Sequence, residues 1–214
     1  MKRNKYFKKM YSQNLTINNK KCVQLPIGID LHTRFSFEKR GPNKILPLKF
    51  EEMFIKIIKK KVIKKFKIYI NFNFRLNKKR LDCINNIPKN LRTIQSSRIS
   101  QEKTWENIKK YLFIACPDGN GYDTHRFWET LCLGSIPIVL ENHKLIKLYK
   151  NFPIITVKNW NELNIYTLNE KYKHITKKNY NFKMLLMNYW LDLILERKKN
   201  INKKISYKEF LELI

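Results

Sequence analysis

The stretch from Phe113 to Leu140 reads FIACPDGNGYDTHRFWETLCLGSIPIVL. Leu112 to Cys116 is a continuous apolar run, as expected of a strand covered on both faces. Pro117 to Tyr122 is a glycine-containing loop. Thr124 to Leu133 has helical character and stops at Gly134, a natural C-terminal cap. Ile136 to Leu140 is a second buried run. Strand, glycine loop, helix and strand make one unit of a parallel sheet wrapped by helices.

The flanking sequence extends the same alternation. Upstream, Phe50, Phe54, Ile57 and Ile58 recur at helical spacing with lysines opposite. Lys67 to Phe74 alternates, with Ile68, Ile70, Phe72 and Phe74 on one side, and predicts a half-buried strand. Asn77 to Asn86 reads as a short helix ended by Pro88, and Leu91 to Ile94 as a strand. Ser100 can cap a helix that runs to about Lys110. Downstream come a short helix around Lys144 to Lys150 and a third buried strand, Ile154 to Val157. Phe182, Leu185, Leu186, Tyr189, Leu193 and Ile194 predict one long amphipathic helix, and Ser206 to Leu213 a short last one. Cys22 to Pro26 reads as a short strand, and residues 27–47 as loop. The expected class is α/β, a Rossmann-like parallel sheet with right-handed crossovers. Residues 50–196 are expected to form that domain. Residues 1–49 precede it as a remnant of another domain and a linker, and 197–214 follow as a basic segment with a short helix.

Composition adds a contrast. The 214 residues carry 45 Lys+Arg against 17 Asp+Glu, a formal charge of +28. Such a balance normally suggests nucleic acid or an anionic membrane. The excess is lysine, 36 against 9 arginines, beside 24 asparagines and 27 isoleucines. These residues have A/T-rich codons, so base composition accounts for much of the charge. Between Tyr111 and His143 the only Lys or Arg is Arg126, against Asp118, Asp123, Glu129 and Glu141. An even spread would put about seven basic residues there. The segment is held against the bias of the rest, as a buried sheet region, as a site, or as both.

Other classes are set aside. No apolar run approaches the roughly 20 residues of a membrane span. Met1 to Asn14 is basic without an apolar core, so it is no signal peptide. Cys22, Cys83, Cys116 and Cys132 form no C-x-x-C pair. Free thiols, a reducing compartment and cytoplasmic placement are the expectation. The lysine-rich run 56–67 reads as the wet face of a helix. The NFNFR run at 71–75 offers either a stacking platform for nucleic acid or simply a strand, and its alternation suits the strand. The four tryptophans are expected in the core, and His143 and His174 in solvent.

The loop and helix of the opening stretch carry the chemistry. Ligands of such sheets bind beyond the carboxyl ends of the strands. Gly119 and Gly121 allow close backbone approach. The helix that begins near Asp123 offers N–H groups and a positive dipole end, and Arg126 adds a bidentate cation in its first turn. Glu129, one turn on, could accept from sugar or ribose hydroxyls. The pattern is neither the dinucleotide fingerprint nor a Walker loop. It points to the diphosphate of a nucleotide sugar.

The run Pro117–Glu129 with Leu131 and Leu133–Val139 resembles the donor-binding motif of exostosin-like glycosyltransferases, P-x-G-x-G-x-D-x-x-R-x-W-E-A-L-x-x-G-C-I-P-V-I/V. Thr130 stands for the usual Ala, Ser135 for the usual Cys, and Asp118 where Arg or His is more usual. Leu25-Pro26-Ile27-Gly28-Ile29-Asp30-Leu31-His32-Thr33, Asn159-Trp160 and Asn188-Tyr189-Trp190-Leu191 are similar to small exostosin-like proteins of microbes and large viruses. The resemblance covers about residues 7–196.

The resemblance implies a GT-B enzyme whose C-terminal domain holds the nucleotide-sugar donor and transfers the sugar to a glycan or lipid-linked acceptor. Gly119, Asn120 and Gly121 would line the phosphates and Arg126 neutralise them. Glu129 would hold ribose or sugar, while Asp123 and His125 shape the loop. No cofactor is required, and there is no D-x-D or other metal motif. Only about 25 residues precede the LPIGID segment, fewer than a whole acceptor domain needs. The expectation is a shortened form, a fragment complemented by a partner chain, or a domain that binds donor without transfer. For the general base, Asp30 and His32 are the candidates in reach. The same two residues also suit a structural loop network. A basic nucleic-acid-binding module is the remaining reading, with no sequence-specific partner expected.

Overall fold

The computed structural model describes residues 6–17, 19–31, 47–72, 78–197 and 203–214. At its centre five parallel strands form one sheet. In chain order these are β3 (Lys65–Ile70), β4 (Arg92–Ile94), β5 (Tyr111–Ala115), β6 (Ile136–Leu140) and β7 (Ile155–Val157). Two short strands, β1 (Met10–Ser12) and β2 (Cys22–Gln24), pair parallel to each other outside this sheet. The spatial order β4-β3-β5-β6-β7 reverses direction between β3 and β5. That reversal is the topological switch point of an open α/β sheet, where ligands bind beyond the carboxyl ends of the strands.

Helices cover both faces, giving three layers. One face carries α2 (Lys78–Asn86), α6 (Ile165–Thr176) and α8 (Tyr207–Leu213). Their Cys83, Leu168, Ile175, Tyr207 and Phe210 pack with Ile68, Phe113, Ile136 and Ile155 of the strands. The other carries α1 (Pro47–Ile58), α3 (Gln101–Lys110), α4 (His125–Cys132), α5 (Ile146–Tyr149) and α7 (Met187–Ile194). There Phe54, Trp105, Phe127, Tyr149 and Trp190 pack on Tyr69, Ile114 and Val139. Each central strand therefore feeds two cores, and β5 is buried along its whole length. All four tryptophans are buried.

Local chemistry places the ends of these elements. Ser100 caps α3 by accepting from the Lys103 amide at 3.1 Å. Ser206 and Glu209 form a reciprocal capping box on α8. Gly134 ends the α4 turn at φ +67°, where a Cβ would come within 2.7 Å of Leu211 Cδ2. The four cysteines are free, and burial pushes the Cys116 and Cys132 thiols up to about 12.

Three expectations are corrected. The strand expected to be half-buried is covered on both faces over Ile68, Tyr69 and Ile70, by helices on either side of the sheet. Tyr69, on the side opposite Ile68 and Ile70, is buried and stacks on Tyr111 at 4.9 Å. The single helix expected over Phe182–Ile194 is two pieces, a 3-10 turn at Phe182–Leu185 and then α7, separated by extended Leu186. Phe182 stacks on Phe210 in one core, whereas Met184 and Trp190 enter the other. One straight helix would set Phe182 and Trp190 only about 80° apart, too little to send them to cores on opposite faces of the sheet. Finally, α6 had no counterpart in the sequence reading; it starts at a capping box of Asn164 and Thr167. Phe74 lies outside the described residues.

Candidate functional site

The loop of residues 116–124 leaves the carboxyl end of β5 and enters α4. Beside it stands the N-terminal turn of α2, which follows β3. The two strands flank the switch point, so the 116–124 loop and the first turn of α2 face the same crevice. Gly119 donates its N–H to Gly121 O at 3.0 Å, closing a tight turn. Neither glycine has a positive φ. Close packing is what dictates them. A Cβ on Gly119 would lie 2.9 Å from Arg80 Nη2, and one on Gly121 2.7 Å from Asn14 Oδ1. Asn120 is exposed at the tip of this loop.

Arg126 sits in the first turn of α4 with its side chain 20% exposed. Its Nε and Nη1 are buried and make no hydrogen bond among the described residues, and Nη1 lies 3.6 Å from Glu129 Oε2. Buried donors without acceptors are costly, and the fifth of the side chain that stays exposed is the part an external acceptor can reach. Arg80 brings a second guanidinium from α2. Its Nε donates to Asp118 O at 3.3 Å. Burial first, and the Arg126 charge second, lower the pKa of Arg80 from its ordinary value. Two like charges near each other in a partly desolvated crevice repel, and an anion between them offsets both the repulsion and the lost hydration.

Carboxylates in this region are engaged within the protein. Asp123 is buried and accepts from Ile27 N–H at 2.7 Å, Trp128 Nε1–H at 2.8 Å and Tyr149 O–H at 2.8 Å. Burial raises its pKa, and these hydrogen bonds oppose the rise. Glu129 Oε1 accepts from Gln101 Nε2 and Trp105 Nε1, each at 2.8 Å. Asp118 pairs with Lys79 and, at 3.0 Å, with His143 Nε2. Burial would raise its carboxyl, but bonds from His143 and Lys79 outweigh that and hold it below the usual range.

His143 corrects an expectation, since it is 7% exposed rather than solvated. The Leu145 N–H donates to its Nδ1 at 3.1 Å, so the Nε2–H is the donor towards Tyr122 O and Asp118. His174 is exposed, as expected.

The N-terminal segment is part of the same constellation. Asn14, at φ 51°, accepts from the Asp123 N–H through Oδ1 at 2.7 Å. His125 Nδ1 donates to Gly28 O at 2.8 Å, and Gly28 itself takes φ +69°. The structure thus brings together Gly119, Gly121, Asp123, His125, Arg126 and Glu129. Asp30 lies two residues beyond Gly28 on the loop that borders α4. His32 lies outside the described residues.

Sequence reasoning missed Arg80, Lys79, Asn14 and His143. Lys79 and Arg80 are camouflaged in an NKKR run, and Asn14 among 24 asparagines. A usable signal existed in the nine arginines. Where lysine is the background cation, each arginine kept is informative. Among the described residues no group of three or more His, Cys, Asp or Glu is placed to hold a metal. The chain matches no protein-family model and has no significant match among curated proteins.

Proposed function

We propose that the crevice binds the diphosphate of a nucleotide sugar and that the protein is a glycosyltransferase of the exostosin type, built on a GT-B donor domain. The single observation that carries this reading is Arg126. Its Nε and Nη1 are buried with no hydrogen bond among the described residues while the side chain stays partly exposed, at the first turn of α4 and beside a second guanidinium from Arg80. The resemblance of Pro117–Val139 to the exostosin donor motif supplies the class of ligand.

In this reading Arg126, Arg80 and the N-terminal end of α4 receive the two phosphates across the 117–122 loop. An acceptor hydroxyl of a glycan or lipid-linked sugar attacks the anomeric carbon. The glycosidic bond forms as the bond to the diphosphate oxygen breaks, and the nucleoside diphosphate leaves with the electron pair. The two guanidiniums stabilise that departing charge. Glu129 acts through Arg126, whose Nη1 its Oε2 faces. Asp123 and His125 hold the loop to the N-terminal segment. The acceptor proton goes to a base on that segment, for which Asp30 and His32 remain the candidates.

A second reading is favoured by one specific observation. Asp118, Asp123 and Glu129, the carboxylates around the guanidiniums, are all engaged by protein donors. A domain that binds donor without transferring the sugar would look the same here.

Calorimetric titration with uridine and guanosine diphosphates and their sugar conjugates tests the site. Arg126→Ala and Arg80→Ala are each expected to weaken the preferred ligand about tenfold or more, the worth of one charge-assisted hydrogen bond. Unchanged binding in both variants would refute the site. Tight binding without release of diphosphate in the presence of acceptor glycans selects the second reading.

A further inference from the structure

An apolar cavity of about 460 Å³ lies away from the crevice. Cys132, Phe182, Leu185 and Phe210 contribute to its walls, and Lys183 and Lys203 also line it. It sits at the C-terminal end of α4, whereas Arg126 is at the other end of the same helix, about 10 Å away along its axis.

The surface beside the cavity is apolar as well. Leu186 and Leu213, which also line it, are 60% and 76% exposed. From there α7 presents Met187, Leu191, Ile194 and Leu195, all exposed. Their spacing of i, i+4, i+7 and i+8 draws one stripe about 100° wide. The stripe faces away from the core, because Trp190 and Leu193 supply the inward face. Cations lie beside it: Lys183 and Lys203 line the cavity, and Arg197, 58% exposed, follows the helix. The nearby acids are largely engaged. Glu196 pairs with Lys9, Asp192 lies 3.9 Å from Arg197, and Glu209 bonds its own helix cap.

We infer that this face docks on an anionic phospholipid bilayer, with α7 lying in the interface and an acyl chain entering the cavity. An amphipathic helix with an exposed apolar stripe and flanking lysines has the chemistry of interfacial binding. A second copy of the chain is a poor occupant, since each copy carries +28 and apposition would repel. The inference is independent of the sugar-nucleotide reading.

Sedimentation of the full chain with vesicles of phosphatidylcholine, with and without phosphatidylserine, tests it. Vesicles containing phosphatidylserine should bind the protein at low salt. Part of that binding should persist in about 1 M salt, where screening reaches within about 3 Å. Leu191→Ser combined with Ile194→Ser should cut the salt-resistant part about tenfold or more through lost apolar burial. Its thermal melting should match the wild type, because both side chains are exposed. Met187→Ser repeats the test at a position 72% exposed, with least risk to the fold. Lys183→Gln with Lys203→Gln should lower the low-salt part alone. Absence of binding, or salt-resistant binding that the serine variants leave intact, overturns the inference. A dimer seen by light scattering and dissolved by the serine variants overturns it too, in favour of a second copy.

Discussion

Asp123 shows how one side chain can be legible in identity and hidden in function. Its place in the loop motif is plain from sequence, but its three donors come from Ile27, Trp128 and Tyr149. Both carboxylate oxygens accept. An amide can accept on one side only, so Asp123→Asn would turn N–H groups against Ile27 or against Trp128 and Tyr149. The expected loss is about 2–3 kcal/mol, the range for a hydrogen bond to a buried charge, read by urea unfolding. Glu129 is similar: its carboxylate is visible in the sequence, yet Gln101 and Trp105 hold Oε1 from another helix. Arg126 is the contrary case. It is conspicuous as the only Lys or Arg in its stretch, and its Nε and Nη1 have no hydrogen bond among the described residues.

Among the elements, the lysine run after α1 divides in a way periodicity does not show. Lys56, Lys59, Lys60 and Lys61 are exposed, as expected of a wet face. Lys64 instead turns in at the start of β3. Its ammonium donates to Lys109 O at 2.7 Å, Ser135 Oγ at 2.9 Å and Leu133 O at 3.1 Å, tying the ends of α3 and α4 to the sheet. Burial, and then the Lys109 charge, pull its pKa down to about 7. Between about 7 and the ordinary lysine value of 10.5 the unfolded chain holds this proton and the folded chain releases it. Stability should therefore rise with pH across that window. Lys64→Met should flatten the rise, as measured by chemical unfolding at pH 7 and pH 9, about the middle of the range. The 3-10 turn at Phe182–Leu185 follows the same lesson. Apolar spacing predicted one helix, but two cores claim its side chains from opposite faces of the sheet.

In the whole molecule, the switch point between β3 and β5 gathers residues far apart in sequence. Arg80 comes from one crossover and Arg126 from another, while Asn14 reaches Asp123 across 109 positions. The N-terminal segment is thus a wall of the crevice as well as a flanking piece. Removal of residues 1–24 should speed hydrogen exchange of the Asp123 amide about tenfold, the worth of roughly one hydrogen bond. It should also weaken diphosphate binding, because the glycine loop loses the side chain packed against Gly121. Unaltered exchange in the peptide covering 117–128 would show that the loop holds its shape without that segment.

By itself the sequence determined the alternation of strands and helices, because an apolar run of strand length, a capping serine and a stop glycine are local chemistry. It also determined the loop motif and the place of Arg126, since those rest on residue types at short spacing. Tertiary structure alone decided the strand order, the burial of Tyr69 opposite Ile68 and Ile70 in β3, and the partners of Asp118, Asp123 and Glu129 in the crevice. It also decided the meeting of Arg80 with Arg126. The reason is physical: hydrogen bonds and desolvation depend on which atoms meet in space, and that meeting is created when the sheet reverses its order at the switch point.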